Sequence, residues 1–501
     1  MMKKLIKISI VGGLVFLCFI FIVPSSWADS LGQKETFFVD SEYDSNQRTQ
    51  VFATLFYVSQ KGYFYIENNW WNSLSYYKKK QAEQNIKNLA NEFDETIYPK
   101  LSNFFGSPWN PGIDNDSRIT ILMTNLIKNA GGYFDSCHEY PLSRCSHSNE
   151  REMLHINAAF IFDSRMKAFL AHELQHLINW NQKERLAGLR EDVWLNETRS
   201  EYVPALLDYN NPYSNSILEM RVNDFLADQS NPLGEWTEKS TDYGVINLFG
   251  HYLTNQFGEN LFSLMSKNHF IGITSINQAL SEIGYSENFD EVFTNWSLAN
   301  YYNSLAMGRG GKYGYTESDL KKIHISPTTN SFYSYSFVTF SETVKDWSPR
   351  WYLLKNKLSS VNSRIALKIE FENSNQQSDF QIPYMIEYKD GNHELGFINL
   401  ESQKGTAYVF SFADKVESIL VVPTNHSKRN NFTNNDPSTL FTLKASTIII
   451  NQPVITSISP SDGKSSGGNT VLIRGGNFQK GTEVYFGGEK SLEVTWTDET
   501  S

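Results

Sequence analysis

His172-Glu173-Leu174-Gln175-His176 and Trp194-Leu195-Asn196-Glu197-Thr198-Arg199-Ser200-Glu201-Tyr202 are the two stretches from which the rest of this 501-residue chain is read. On a helix, residues four apart lie on one face, so the imidazoles of His172 and His176 can reach a single ion. Glu173 then stands beside that ion, where it can take a proton from a bound water. Zinc lowers the pKa of such a water to about 7. Phe169, Leu170, Leu174, Leu177 and Ile178 surround the motif with apolar side chains. Polar groups set in such a surface are costly without a partner, and a metal supplies one. Glu197 follows His176 by twenty-one positions, a spacing that suits a second helix turning back against the first. Two histidines and one glutamate leave the fourth position open for water, as a catalytic zinc requires. Glu201, one helical turn later, is placed to accept a hydrogen bond from the far nitrogen of His172 and fix its tautomer. One zinc ion is therefore the expected cofactor.

Outward from this pair, helical periodicity runs over Ser164–Ala187 and Val193–Leu207, and again over Tyr76–Leu101, Ser216–Leu226, Tyr243–Phe257 and Ser275–Ile283. Strands are expected at Val51–Val58, Tyr63–Glu67 and Arg118–Met123, after a polar, loosely ordered lead-in over 29–50. In the turn-rich loop Pro108–Ser117, Asp114 and Asp116 could bind calcium. The twelve-residue loop with its glycine and terminal glutamate is missing, so a polar turn is the reading and calcium is left unsupported. His138, His147 and His155 lack ligand spacing and are read as ordinary polar residues near the cleft. From about residue 330 the pattern changes to short alternating stretches at Arg364–Glu372, Tyr384–Lys389, Leu395–Leu400, Ala407–Phe412 and Ser418–Val422, the mark of a β-sandwich.

The chain is long enough for several domains. Its net charge of −11, with no dense basic run after the first residues, argues against a nucleic-acid partner. Residues 1–28 read as a signal peptide: three lysines, an apolar run from Ile8 to Val23, and small residues at Ser26 and Ala28, with cleavage after Ala28. No stable membrane span is expected after cleavage. Cys18 falls inside the signal, so Cys137 and Cys145 remain, and in an exported protein they read as a disulfide. The expected location is outside the cytoplasm, extracellular or periplasmic.

His172–His176 followed by Trp194–Glu197 resembles the gluzincin metallopeptidases. Ala53–Val58, Phe105-Gly106, Gly131–Phe134, Ser148–Met153, Tyr243-Gly244 and Phe257-Gly258 resemble the secreted bacterial hyicolysin-type family in particular, over about residues 50–300. The resemblance implies an α+β catalytic domain over 29–325 that hydrolyses peptide bonds in protein or peptide substrates. It also implies a donor to the oxyanion on a later helix, for which Tyr243 is the first candidate and His251 the second. Ile455–Pro460, Ser466–Gly468, Gly475–Phe478 and Val484–Gly488 resemble the start of an immunoglobulin-like IPT/TIG module over 453–501, which the chain is expected to leave incomplete and poorly stabilised. The β-sandwich is assigned to 326–450, and the C-terminal β domains could bind a surface or a glycan.

An endopeptidase is preferred over an aminopeptidase, because no Gly-x-Met-Glu-Asn segment precedes the motif to hold a free amino terminus. The alternative from another class is a secreted adhesin on an inactive metallopeptidase scaffold. The intact Glu173 counts against it, because a decayed enzyme has no physical need of that carboxylate.

Overall fold

The computed structural model describes residues 28–359, 362–464 and 467–501; the expected signal peptide lies, except for Ala28, outside the described residues. The chain opens with a six-stranded sheet formed by β1 (Lys34–Phe38), β2 (Gln50–Val58), β3 (Gly62–Glu67), β4 (Ile119–Thr124), β5 (Gly132–Tyr133) and β6 (Met153–Asn157), in the order β1-β2-β3-β4-β6-β5. The β3–β4 and β4–β6 pairs are parallel and the others antiparallel. Every residue of β4 is buried because both faces of the sheet are covered. Period-two alternation sends Phe64, Ile66, Ile121, Met123, Leu154 and Ile156 into the main helical core, and Tyr63, Tyr65, Leu122 and Met153 into a smaller cluster with Phe37 and Val51.

The lead-in is not loose. Its strand β1 pairs along β2, Phe37 is buried, and Asp44 sits buried against Arg48, which also grips buried Glu67. Asp29 receives Arg151 at 2.5 Å and the Tyr65 hydroxyl at 2.8 Å. Polarity alone suggested a loosely ordered stretch, because Arg151 and Tyr65, which hold Asp29, and Glu67, which Arg48 also grips, come from positions outside it.

Between β3 and β4 lie α1 (Asn68–Ser73), α2 (Tyr76–Glu92) and α3 (Tyr98–Phe105), the last two joined through a wider π-type turn at Phe93–Ile97. The helical stretch expected over Tyr76–Leu101 is thus helical throughout, with a π-type turn inside its span. After β6 come α4 (Met166–Asn179), α5 (Val193–Leu206), α6 (Ile217–Ala227), α7 (Ser240–Phe257), α8 (Asn260–Lys267), α9 (Gly272–Glu282) and α10 (Phe289–Tyr302). Gly244 lets α7 lie on α6, since a Cβ there would fall 2.4 Å from the Phe225 amide nitrogen.

The later half holds two facing sheets. One has the order β14-β10-β17-β8 and the other β13-β12-β15-β9-β7. Their strands are β7 (Thr328–Phe332), β8 (Phe337–Val344), β9 (Tyr352–Asn356), β10 (Ile365–Asn373), β11 (Phe380–Gln381), β12 (Pro383–Tyr388), β13 (His393–Phe397), β14 (Lys404–Val409), β15 (Val416–Val421), β16 (Thr424–Asn425) and β17 (Thr439–Ile449). Phe371, Phe441, Leu443, Ile386, Ile419 and Val421 fill the space between them. The unit over 453–501 contains the antiparallel pairs Val454–Ser459 with Leu472–Gly476 and Tyr485–Phe486 with Glu489–Lys490. Ile455, Leu472, Tyr485 and Leu492 are exposed there.

The hydrophobic core runs unbroken across residues 325 and 326. Trp347, Trp351, Leu353, Met385, Leu420 and Val422 pack into the same cluster as Phe289, Phe293 and Trp296 of α10. Trp347 meets Phe289 at 4.6 Å between ring centroids, and the Trp351 indole donates to the Ser297 carbonyl at 2.8 Å. His426 pairs with Asp290 across the same seam at 2.6 Å. Trp347→Ala should therefore destabilise by about 3–5 kcal/mol. Urea unfolding followed separately through helix content and sheet content should shift in both signals; an unchanged midpoint would refute a shared core.

Candidate metal centre

α4 is buried on nearly every face because β6, α3 and α5 surround it. α5 turns back onto α4 under the control of buried charge. Arg199, fully buried, pairs with Glu191 at 2.9 Å and donates to the Asn179 side chain at the end of α4 at 2.7 Å. This clamp sets the rotation of α5 and aims Glu197 and Glu201 at α4.

The Nε2 atoms of His172 and His176 lie 3.0 Å apart. Glu197 Oε2 is 3.4 Å from the first and Oε1 is 3.4 Å from the second. Ligands at ordinary zinc distances in a tetrahedron are separated by about 3.4 Å, so the donor atoms are spaced as a zinc ion would space them. Glu197 Oε2 is enclosed without a hydrogen-bond partner, as an oxygen reserved for a cation would be. Burial works to raise the Glu197 pKa, but the two histidines outweigh it and hold the carboxyl well below its usual range.

The far side of each imidazole is also engaged. Ser200 Oγ stands 3.2 Å from His176 Nδ1 and also bonds Gln175. Glu201 Oε1 faces His172 Nδ1 at 3.6 Å, longer than a hydrogen bond, so it acts on His172 as a nearby charge. Arg221 on α6 holds Glu201 through two bonds of 2.8 Å, and its guanidinium lies 4.4 Å from the centre of the Tyr243 ring. Neither Arg221 nor Ser200 was singled out from sequence; Ser200 lies within the Glu197 stretch, whereas nothing local marks Arg221.

Glu173 is 5% exposed, and burial pushes its carboxyl up to about 8. Gly132 of β5 lies against it: a Cβ there would fall 2.9 Å from Glu173 Cγ. Two tyrosines overlook the site. Tyr243, in the first turn of α7, packs on Trp236, and burial followed by the Glu197 charge drives its hydroxyl pKa far up. Tyr43, from the polar loop after β1, is likewise raised by burial and then by Glu238, Glu173 and Glu197. Tyr43 stacks on Tyr133 at 4.7 Å, and Tyr133 on His155 at 4.2 Å. Tyr43 was missed because its stretch was read as lead-in.

His251 is bound to a different partner. It is fully buried and its Nδ1 is held by Glu317 at 2.7 Å. His138 and His155 are buried with their Nε2 atoms 3.0 Å apart, and burial brings His138 down to about 4. His147 is exposed. Cys137 and Cys145 are joined in a disulfide. Asp114 caps the turn at the Asp116 amide, and Asp116 accepts from the Tyr63 hydroxyl.

Residues 453–501 match the IPT/TIG domain family. Over 223 residues, 39% of this chain, the sequence is 28% identical to the neutral metalloprotease ShpI of Staphylococcus hyicus, and the match spans about half (47%) of that relative's length. Among solved structures, the ZmpB metallopeptidase from Clostridium perfringens aligns at 13% identity and TM-score 0.27, over 74% of this chain and 67% of that one. The M60 catalytic domain of ZmpC from the same organism aligns at 14% and 0.27, over 76% and 68%. At such TM-scores neither alignment carries weight here. Among the described residues no helix is long and apolar enough to cross a membrane.

Arg221→Ala would leave Glu201 as a buried, uncompensated charge, a loss of about 3–5 kcal/mol. Chemical denaturation should show it, with Arg221→Lys recovering only part; wild-type stability in the alanine variant would refute the pairing.

Proposed function

We propose that the chain is a secreted zinc-dependent endopeptidase of the gluzincin type. His172, His176 and Glu197 hold the metal and Glu173 is the general base. The observation that carries this reading is the convergence of the two Nε2 atoms, 3.0 Å apart, on the Glu197 carboxylate, whose Oε2 and Oε1 lie 3.4 Å from His172 and His176, with Glu173 buried beside them. The partial identity with ShpI supports it, and the disulfide is in keeping with export.

Bound there, zinc supplies an acidified water and a positive charge for the substrate carbonyl. The remaining work falls to the chain's own groups. A Glu173 carboxylate oxygen accepts the proton of the attacking water and returns it to the leaving amine. Ser200 fixes the ring of His176, and Glu201, held by Arg221, orients His172. The Tyr243 hydroxyl donates to the carbonyl oxygen as charge builds on it. β5 is the outer strand of its sheet and passes against Glu173, so its free edge can pair with an extended peptide. Residues 29–325 carry the chemistry, and the β domains that follow are assigned to binding surfaces or glycans.

Glu173→Gln should keep about one zinc per chain by mass spectrometry yet lose about 10²–10⁴-fold in casein and blocked-peptide hydrolysis. Full turnover in this variant would overturn the assignment of the base. Zinc-loaded wild type that cleaves no protein would favour the inactive binder instead. Tyr243→Phe should lower kcat by about 10²–10³-fold with little change in KM, read from steady-state kinetics on the same peptides.

A further inference from the structure

Beyond the end of α4, side chains from three segments stack into one column. Trp180 and Arg185 belong to the π-type turn Trp180–Leu186 that continues α4, and Trp109 to the loop after α3. Tyr140 and Arg144 belong to the loop closed by the Cys137–Cys145 disulfide. The Arg185 guanidinium lies 4.1 Å from the centre of the Trp109 ring, and Trp109 stands 6.2 Å from Trp180 between centroids. Trp180 meets the Tyr140 ring edge-on at 5.7 Å and donates its indole N–H to the Tyr140 hydroxyl at 3.4 Å. The Arg144 guanidinium ends the column, 3.7 Å from the centre of the Tyr140 ring. Trp180 is buried and Trp109 half-buried, whereas Arg144 and Arg185 are exposed. A buried aromatic centre thus braces two cations at the surface.

These cations have no counter-charge of their own. Arg48, Arg118, Arg151, Arg165, Arg199 and Arg221 each meet a carboxylate. Among the described residues neither Arg144 nor Arg185 is paired with one; Arg185 reaches the Asn181 side chain at 3.4 Å. Of the acids nearby, Glu150 accepts the Leu142 amide at 2.9 Å, and burial raises the Glu184 carboxyl against the pull of Arg190 and Arg144. In a chain of net charge −11, Arg144, Arg185 and the exposed Arg190 form a local positive surface that sequence order hides.

Stacking on an aromatic face holds the plane of a guanidinium while leaving its N–H donors unengaged. A fork held in this way matches a planar carboxylate. Leu142 and Leu186, close to Arg144 and Arg185 in the chain, are 50% and 61% exposed. Charge and apolar surface together suit a polypeptide with acidic and apolar side chains; a phosphate polymer offers only the charge. With its central indole buried, the column lacks the exposed tryptophan that would enter a membrane interface.

We propose that this column is a docking surface for an acidic, leucine-bearing stretch of a partner polypeptide, its carboxylates on Arg144 and Arg185 and its apolar side chains on Leu142 and Leu186. An extended stretch of about six residues is long enough to run from one guanidinium to the other. The surface is independent of the reading of the metal centre.

The test uses the full chain carrying Glu173→Gln, so that the probe is not cleaved. The probe is a blocked, dye-labelled peptide of that length alternating glutamate and leucine, followed by fluorescence anisotropy. Its glutamine counterpart should bind about tenfold more weakly, and so should the original peptide to Arg144→Gln or Arg185→Gln. Arg144→Lys should recover only part, because an ammonium lacks the fork. Both arginines are exposed, so each variant should keep the parent's melting temperature. Should either fail to fold, raising sodium chloride to about 0.5 M on the parent reads the same loss. Absence of binding up to about 1 mM peptide would overturn the surface. Equal binding of the glutamine counterpart, or arginine variants that bind as well as the parent, would do the same. Uptake of phosphatidylglycerol vesicles in place of the peptide would also overturn it, in favour of a membrane partner.

Discussion

Buried charge pairing governs where the centre's carboxylates point. Arg199 joins the start of α5 to the end of α4 through Glu191 and Asn179, and Arg221 grips Glu201 from α6. Arg199 has no water to fall back on and Arg221 little, so each pair persists only while both partners stay in place. That requirement turns helix packing, which by itself tolerates small rotations, into a defined setting of α5. Glu197 consequently faces the imidazoles instead of solvent.

The surroundings of Glu173 set a balance. The apolar packing of α4 and the close approach of Gly132 strip water from the carboxyl and favour its neutral form. A general base acts best when its pKa lies near the working pH, and desolvation moves Glu173 in that direction. The neighbouring Glu197 is driven the opposite way, because two imidazoles share its space. Two glutamates in adjoining helices thus acquire opposite protonation tendencies from environment alone, one suited to moving protons and the other to holding a cation.

The β-sandwich is part of the same folded body as the helices. Its sheet β13-β12-β15-β9-β7 contributes Leu353, Met385 and Leu420 to the core that α10 completes, and Trp347 fills the joint. Burial of apolar surface on this scale resembles a domain interior more than a flexible hinge between modules. The unit over 453–501 differs, since many of its large apolar side chains face outward.

The sequence by itself determined the elements whose periodicity is local. His172–His176 on a helix, Glu197 on the next one, the buried strand ending at Thr124 and five strands of the sandwich all follow from spacing and alternation within about ten residues. β17 carries a readable alternation too, with Phe441, Leu443 and Ala445 buried against Thr442, Lys444 and Ser446. Only the tertiary structure decided which polar groups are buried together. Arg221 reaching Glu201, Arg48 reaching Asp44 and Glu67, and His251 locked to Glu317 join partners between 4 and 66 positions apart. A charge has no period that reveals its partner. Electrostatic partners are chosen by distance through space, which exists only once the helices and sheets have packed.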